Sequence, residues 1–332
     1  MKIQILLYIV AIAVGFTSKS IAQVLIERQV IDTNGEPVPY VNVGVLGTTN
    51  GTVSDDDGWF RLRIDQSSDT DTLVVSAIGF KRWQVTTAIA VASQEPIMLE
   101  KHVYELDEIV VRPRKLKKKK YGQIKASRDV SRATVNKRGF EDAILIISKA
   151  YPISVQKAVL KIGGTKQKSY SFRVRFYEAN QETGRPGKEL TKKNYIITSS
   201  KKKGNIEINL EDENIWFDEP VYLSFEWLVN KEDEALTYAM VDSIRALSAQ
   251  NKGVEETSIT YSSDDIKSIK QENLTEAQIR SLKIIEFSGK IPLTYYAIQK
   301  KPRYTSYSRG IFLEDWKEAE GSIVGYLEVK HE

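Results

Sequence analysis

The chain has 332 residues, 41% of them hydrophobic and 28% charged, with 48 Lys/Arg against 44 Asp/Glu and a net charge of +4. That is the balance of a globular protein with room for about two ordinary domains, and a disordered chain would look different. There is no cysteine and there are two histidines, His102 and His331, which excludes disulfides, cysteine-ligated zinc, iron–sulfur clusters and thiol nucleophiles, and nearly excludes His-based metal centres and Ser-His-Asp triads.

At the N-terminus, Lys2 precedes an apolar run over residues 3–14 that only Gln4 breaks, and small residues follow at Ser20 and Ala22. Residues 1–22 therefore read as a secretory signal peptide, with a mature chain from Gln23 exported to the periplasm or the outer membrane. As a helix the apolar run spans about 18 Å, short of a hydrocarbon core of about 30 Å. No later stretch reaches 18 apolar residues, so no transmembrane helix is expected in the mature chain.

Charge is segregated along the rest. Residues 23–111 hold six Lys/Arg and fourteen Asp/Glu, a net −8, whereas Arg112-Pro113-Arg114-Lys115-Leu116-Lys117-Lys118-Lys119-Lys120 carries +7. A block of that kind repels itself, so residues 105–138 are expected to be a linker between a domain at 23–104 and a second at 139–332. The basic run is also where contact with anionic lipid phosphates or an acidic partner is expected.

From residue 24 to 99, short β-prone runs alternate with turns. Val41, Val43 and Val45 share one strand face, as do Phe60, Leu62 and Ile64. Asp32-Thr33-Asn34-Gly35 and Asp55-Asp56-Asp57-Gly58 read as turns. Residues 72–78 form a near-continuous apolar run, and residues 83–87 and 97–99 supply two further strands. Seven short strands in about 80 residues, without a helix-period segment, predict a small β-sandwich.

Asp32…Gly35-Glu36-Pro37-Val38-Pro39-Tyr40-Val41-Asn42-Val43, Gly51-Thr52-Val53-Ser54-Asp55-Asp56-Asp57-Gly58-Trp59-Phe60 and Asp71-Thr72-Leu73-Val74-Val75-Ser76-Ala77-Ile78-Gly79-Phe80 resemble the carboxypeptidase-regulatory-like domain. The resemblance implies a transthyretin-like, Ig-like seven-stranded sandwich. Leu106-Asp107-Glu108-Ile109-Val110-Val111 also resembles the segment that joins this domain to the plug of TonB-dependent outer-membrane receptors. Such receptors continue into a plug and a long barrel, which about 220 residues cannot supply in full, so a transporter is not expected. Zinc carboxypeptidase chemistry needs two histidines and a glutamate around a metal, and the two histidines here cannot form that set. Ile109, Val110 and Val111, β-prone and next to the basic run, are candidates for pairing with a partner's sheet edge.

From Gly139 onward, residues 144–147, 155–162, 170–177, 195–198, 206–210, 221–229, 293–298 and 323–329 read as strands. Phe172, Val174 and Phe176 are expected inward, with Arg173 and Arg175 outward. A second, jelly-roll-like sandwich is expected, with one or two inserted helices. Leu236, Met240, Ile244 and Leu247 mark one helix at 232–250, and Thr275-Glu276-Ala277-Gln278 resembles a capping box opening another to about Ile284.

Candidate chemistry is sparse. The Asp55–Asp57 carboxylates could hold calcium, but an Asp-Gly turn is sufficient to account for them and no EF-hand spacing is present. Ser154-Val155-Gln156-Lys157 matches S-x-x-K, yet a strand there sends Ser154 and Lys157 to opposite faces. Tyr295, Tyr296, Tyr304, Tyr307 and Trp316, interleaved with basic residues, are either strand core or a sugar- or peptide-binding platform. A glycosidase needs only two facing carboxylates, which sequence cannot select from 44. No cofactor, metal or nucleic acid is expected. The expectation is an exported, non-enzymatic envelope protein, mainly β with two sandwiches, that binds or scaffolds a protein or glycan. The alternatives are a glycan-active enzyme with a carboxylate pair in the C-terminal domain, and an accessory of TonB-linked uptake.

Overall fold

The computed structural model describes residues 23–65, 70–102, 117–127, 131–133, 138–165, 167–228, 294–300, 302–319 and 321–331. The signal segment at 1–22, the partner-strand candidates Ile109, Val110 and Val111, and both expected helices at 232–250 and 275–284 lie outside these residues.

The N-terminal module contains β1 (Gln23–Asp32), β2 (Asn42–Val45), β3 (Gly51–Val53), β4 (Trp59–Asp65), β5 (Thr72–Ser76), β6 (Trp83–Thr86), a helix α1 (Thr87–Ala92) and β7 (Ile97–Leu99). The strands form two sheets, β4-β1-β7 and β3-β2-β5-β6, in which only β1 and β7 run parallel. Val41, Val43, Val45, Phe60, Leu62 and Ile64 meet in one buried cluster, as their alternation requires. The helix corrects the expectation of an all-strand module. Six residues make fewer than two turns, too few for a 3.6-residue period to show, and α1 buries only Thr87 and Ala90.

The remaining strands are β8 (Lys117–Gln123), β9 (Ser131–Ala133), β10 (Glu141–Ile146), β11 (Ile153–Thr165), β12 (Tyr170–Ala179), β13 (Pro186–Glu189), β14 (Tyr195–Ser199), β15 (Gly204–Asn209), β16 (Trp216–Phe217), β17 (Val221–Leu228), β18 (Thr294–Gln299), β19 (Ser306–Arg309), β20 (Lys317–Glu318), β21 (Ser322–Ile323) and β22 (Gly325–His331). One sheet has the order β13-β12-β17-β10-β19-β20, with β14 on β12. The other has β21-β18-β11-β22-β8, with β15 and β16 on β11 and β9 on β18. Their inner faces share one core that includes Phe172, Val174, Phe176, Phe225 and Trp227 from the first, and Ile153, Val155, Leu160, Leu327 and Val329 from the second. The chain is mainly β, with this core separate from that of the N-terminal module.

Two features depart from the sequence reading. The expected linker at 105–138 contains β8, so four lysines of the basic run, Lys117 to Lys120, are strand residues. Lysine disfavours strands; here seven register pairs with β22 impose the conformation. In β11 the register shifts between Val155 and Lys157. The core positions accordingly change parity, from Ile153 and Val155 to Ala158, Leu160 and Ile162. That bulge puts Ser154, opposite Lys330, and Lys157, opposite Glu328, on the same outer face. The expectation of opposite faces is thus corrected, although the two do not pair: Gln156 donates to Ser154 Oγ at 3.0 Å, and Lys157 bonds Glu207 at 3.2 Å.

Candidate functional site

The outer face of the seven-stranded sheet is where the two modules meet. Register places Arg173 opposite Glu226, Glu226 opposite Glu141, and Glu141 opposite Arg309. Four charged residues on β12, β17, β10 and β19 thus stand in one row across the sheet. Arg173 and Arg175 point outward as expected, but not into water. Alternation sends them to the outer face, but a second layer covers it, leaving Arg173 1% and Arg175 2% exposed.

Like-charged neighbours such as Glu226 and Glu141 would repel each other, and the arginines resolve that. Glu226 Oε2 accepts from Arg173 Nε at 2.6 Å and from Arg175 Nε at 3.0 Å. Glu141 Oε2 accepts twice from Arg309, at 2.8 and 2.6 Å, while its Oε1 accepts from Tyr177 and Ser224. Arg175 also donates to Glu189 at 3.0 Å. Burial pushes the Glu226 carboxyl up, but the guanidinium groups of Arg173 and Arg175 pull it further down, so its net position is below the ordinary glutamate range. The opposite balance holds Arg175 and Arg309 above theirs: burial lowers them, and the neighbouring carboxylates more than compensate.

Beside the row, Ala143, Tyr177, Tyr222, Tyr307 and Trp316 form a second, smaller cluster. The Arg309 guanidinium lies 4.3 Å from the Trp316 ring centroid and 5.2 Å from that of Tyr177. Of the aromatic residues singled out in the sequence, Tyr307 and Trp316 come together here, 9% and 7% exposed, as packing around an arginine. Tyr304 is half-buried, with Arg303 stacked on it at 5.3 Å. Tyr295 and Tyr296 lie in β18, in register with Gly164 and Ile162 of β11.

At the Arg173 end the cover over the row is the N-terminal module, while Tyr177 and Trp316 pack on Arg309 at the other end. Arg173 Nη1 donates to the Tyr40 carbonyl at 2.6 Å and to Asn194 at 3.1 Å, and Nη2 donates to Asn42 Oδ1 at 3.0 Å. Tyr40 has φ 55°, in the left-handed region that costs a non-glycine residue about 1 kcal/mol or more. Its carbonyl meets the buried guanidinium in that conformation. Arg138 Nη1 donates to the Val53 carbonyl at 3.1 Å. Ile311, 1% exposed, packs on Gly51, where an added Cβ would come within 2.6 Å of its Cδ1. Gly44 receives Ile311 and Leu313 in the same way. Glycines at these two positions let the β2–β3 backbone come this close to the other module.

The acidic turn is occupied by its own backbone. Asp55 Oδ1 accepts from the amides of Asp57 at 3.0 Å and Trp59 at 2.8 Å. At Gly58, φ 77°, a Cβ would lie 2.5 Å from the Val30 carbonyl. The three aspartates do gather their carboxylates within 4.8 Å.

Sequence reasoning missed the ionic row because alternation reports only which residues share a face. The legible signal was the pairing of Arg173-Val174-Arg175 with the lone acid of Phe225-Glu226-Trp227, two segments that must be neighbours for either to be buried.

Residues 26–111 match the family model of the CarboxypepD_reg-like domain, so the resemblance drawn from the three N-terminal blocks holds. The chain is 40% identical over 103 residues to the TonB-dependent receptor SusC of Bacteroides thetaiotaomicron. That stretch is 31% of this chain and 9% of the receptor, so the chain spans under a tenth of that relative's length.

Proposed function

We propose that this is an exported protein of the bacterial cell envelope, periplasmic or associated with the outer membrane, that binds or scaffolds a protein or glycan partner and performs no chemistry. The observation that carries the reading is the 40% identity to a stretch of a TonB-dependent receptor. It joins an N-terminal segment with signal-peptide features, and no helix among the described residues is long and apolar enough to cross a membrane.

The seam supports the non-enzymatic half. An acid catalyst must hold its proton near neutral pH and reach a substrate. Glu226 and Glu141 are 0% and 1% exposed, and arginines bond both. Glu226 holds Arg173, which bonds Tyr40 and Asn42 across the joint between modules, and the free surfaces of the joined body are what a partner meets. The same identity favours, as a second reading, a receptor of TonB-linked uptake as that partner.

The test has two arms. Cell fractionation with N-terminal sequencing is expected to recover a chain starting at Gln23 in the envelope fraction. Recovery of the intact chain, Met1 included, in the cytosol overturns the location. The mature chain is then probed on glycan and peptide arrays and assayed on the same glycans. Binding without turnover is expected, and turnover overturns the non-enzymatic reading.

A further inference from the structure

Strand β8 is an edge. Among the described residues its strand partner is β22 alone, and Lys117, Lys118, Lys119 and Lys120 are all exposed. The strand is nonetheless firmly held. Tyr121 packs on the main core with its hydroxyl 3.1 Å from His331 Nε2. Gly122, at φ 122°, passes so close to β22 that a Cβ would lie 2.8 Å from the Gly325 carbonyl. Four lysines are therefore displayed along a fixed, extended backbone.

Register with β22 sorts them. Lys118 and Lys120 pair with Lys330 and Glu328 on the outer face, while Lys117 and Lys119 pair with His331 and Val329 on the other. Lys120 is bonded to Glu328 at 2.8 Å, and Lys330 to Glu211 at 2.5 Å. Lys117, Lys118 and Lys119 have no ion pair among the described residues.

The geometry points to this edge as an acceptor for an acidic, extended peptide segment that adds as a further strand beside β8. A strand's side chains alternate between faces with about 6.8 Å between same-side neighbours, so acidic residues on an added strand would meet both lysine rows at once. A lipid surface laid on either face meets one row. A second copy of the chain pairing through the same edge would set lysine against lysine, which is unfavourable.

The experiment measures fluorescence anisotropy of a labelled ten-residue peptide, in which adjacent pairs of Asp or Glu are separated by Thr and Val so that acids fall on both faces of a strand, added to the mature chain. A lysine-bearing counterpart, an acidic counterpart with every amide N-methylated, and phosphatidylglycerol vesicles serve as comparisons. The acidic peptide is expected to bind, weakening as salt rises. Lys117→Ser/Lys119→Ser is expected to reduce affinity about tenfold and Lys118→Ser about threefold, with circular dichroism confirming unchanged strand content. N-methylation is expected to abolish binding, because it removes the hydrogen bonds of an added strand. Equal binding of the methylated peptide would reveal a loose polyanion contact and overturn the proposal. Vesicle binding without peptide binding, or folded lysine variants that bind as the parent does, overturns it too. Binding of a synthetic peptide in vitro is independent of where the protein resides, so this result and the envelope test can fail separately.

Discussion

On the outer face of the seven-stranded sheet, Arg173, Glu226, Glu141 and Arg309 form a row, each of them less than a tenth exposed, that a second module covers at its Arg173 end. On the outer face of the eight-stranded sheet, Lys120–Glu328, Lys157–Glu207 and Lys330–Glu211 are also ion pairs, but with at least one partner in each pair well exposed. Both faces alternate charged residues with core residues. The Arg–Glu row has lost its water and the Lys–Glu pairs have kept theirs, so the same Coulombic attraction acts in different media. In the first case a missing partner leaves a bare buried charge, and in the second it leaves a hydrated one.

The largest contrast is expected from Glu226→Gln. It keeps the shape of the side chain and leaves Arg173 and Arg175 without their shared counter-charge, at a cost of about 3–5 kcal/mol. Urea unfolding followed by circular dichroism measures it. A loss under about 1 kcal/mol would mean that the seam is as wet as the opposite face.

Acid should reach the same seam without a mutation. The folded-state pKa of Glu226 lies below its ordinary value because Arg173 and Arg175 outweigh its burial. Its contribution is therefore full above the usual glutamate pKa of about 4.3 and is lost as pH falls through the lower folded-state value. Stability of the parent is expected to fall faster in that window than stability of Glu226→Gln. Parallel curves would remove Glu226 as the source.

How far these faces were legible depends on what alternation encodes. It identified Phe172, Val174 and Phe176 as core, and the same alternation set Arg173 and Arg175 on the other face. Whether that face is wet depends on Tyr40 and Asn42, more than 130 residues earlier in the chain, and on the loop around Ile311. No local pattern carries that information. Tyr307 and Trp316 were visible as aromatics, but their burial around Arg309 depends on β19 pairing with β10. Strand β8 was hidden for the converse reason: nothing in a run of lysines favours a strand, and β22 supplies the conformation. The N-terminal module was the more legible part, because its turns carry their own chemistry in Asp32, Gly35, Asp55 and Gly58.

Packing at the seam should come next in size. Ile311→Ala removes a side chain buried against Gly44 and Gly51, and a loss of about 2 kcal/mol is expected. The effect should be specific to docking. Trypsin is expected to cut ahead of β8, after Arg114 or Lys115, and size-exclusion chromatography should show the two fragments of the parent migrating together. The Ile311→Ala fragments should separate more readily. Parent fragments that separate on their own would show that the ionic row does not hold the modules.

The smallest effect is expected on the other sheet, and it completes the comparison. Lys157 and Glu207 are 40% and 43% exposed with N···O 3.2 Å, a geometry as favourable as the 3.0 Å bond between Arg175 and Glu226. If distance alone set the energy, the two pairs would contribute alike. A double-mutant cycle over Lys157→Ala and Glu207→Ala is nevertheless expected to give a coupling of about 0.5 kcal/mol or less, fading further as salt is added, because water already solvates both partners. A coupling above about 1.5 kcal/mol would show that the exposed face stabilises the fold as the covered one does. Loss of water under the second module would then not be what sets the energy of these pairs.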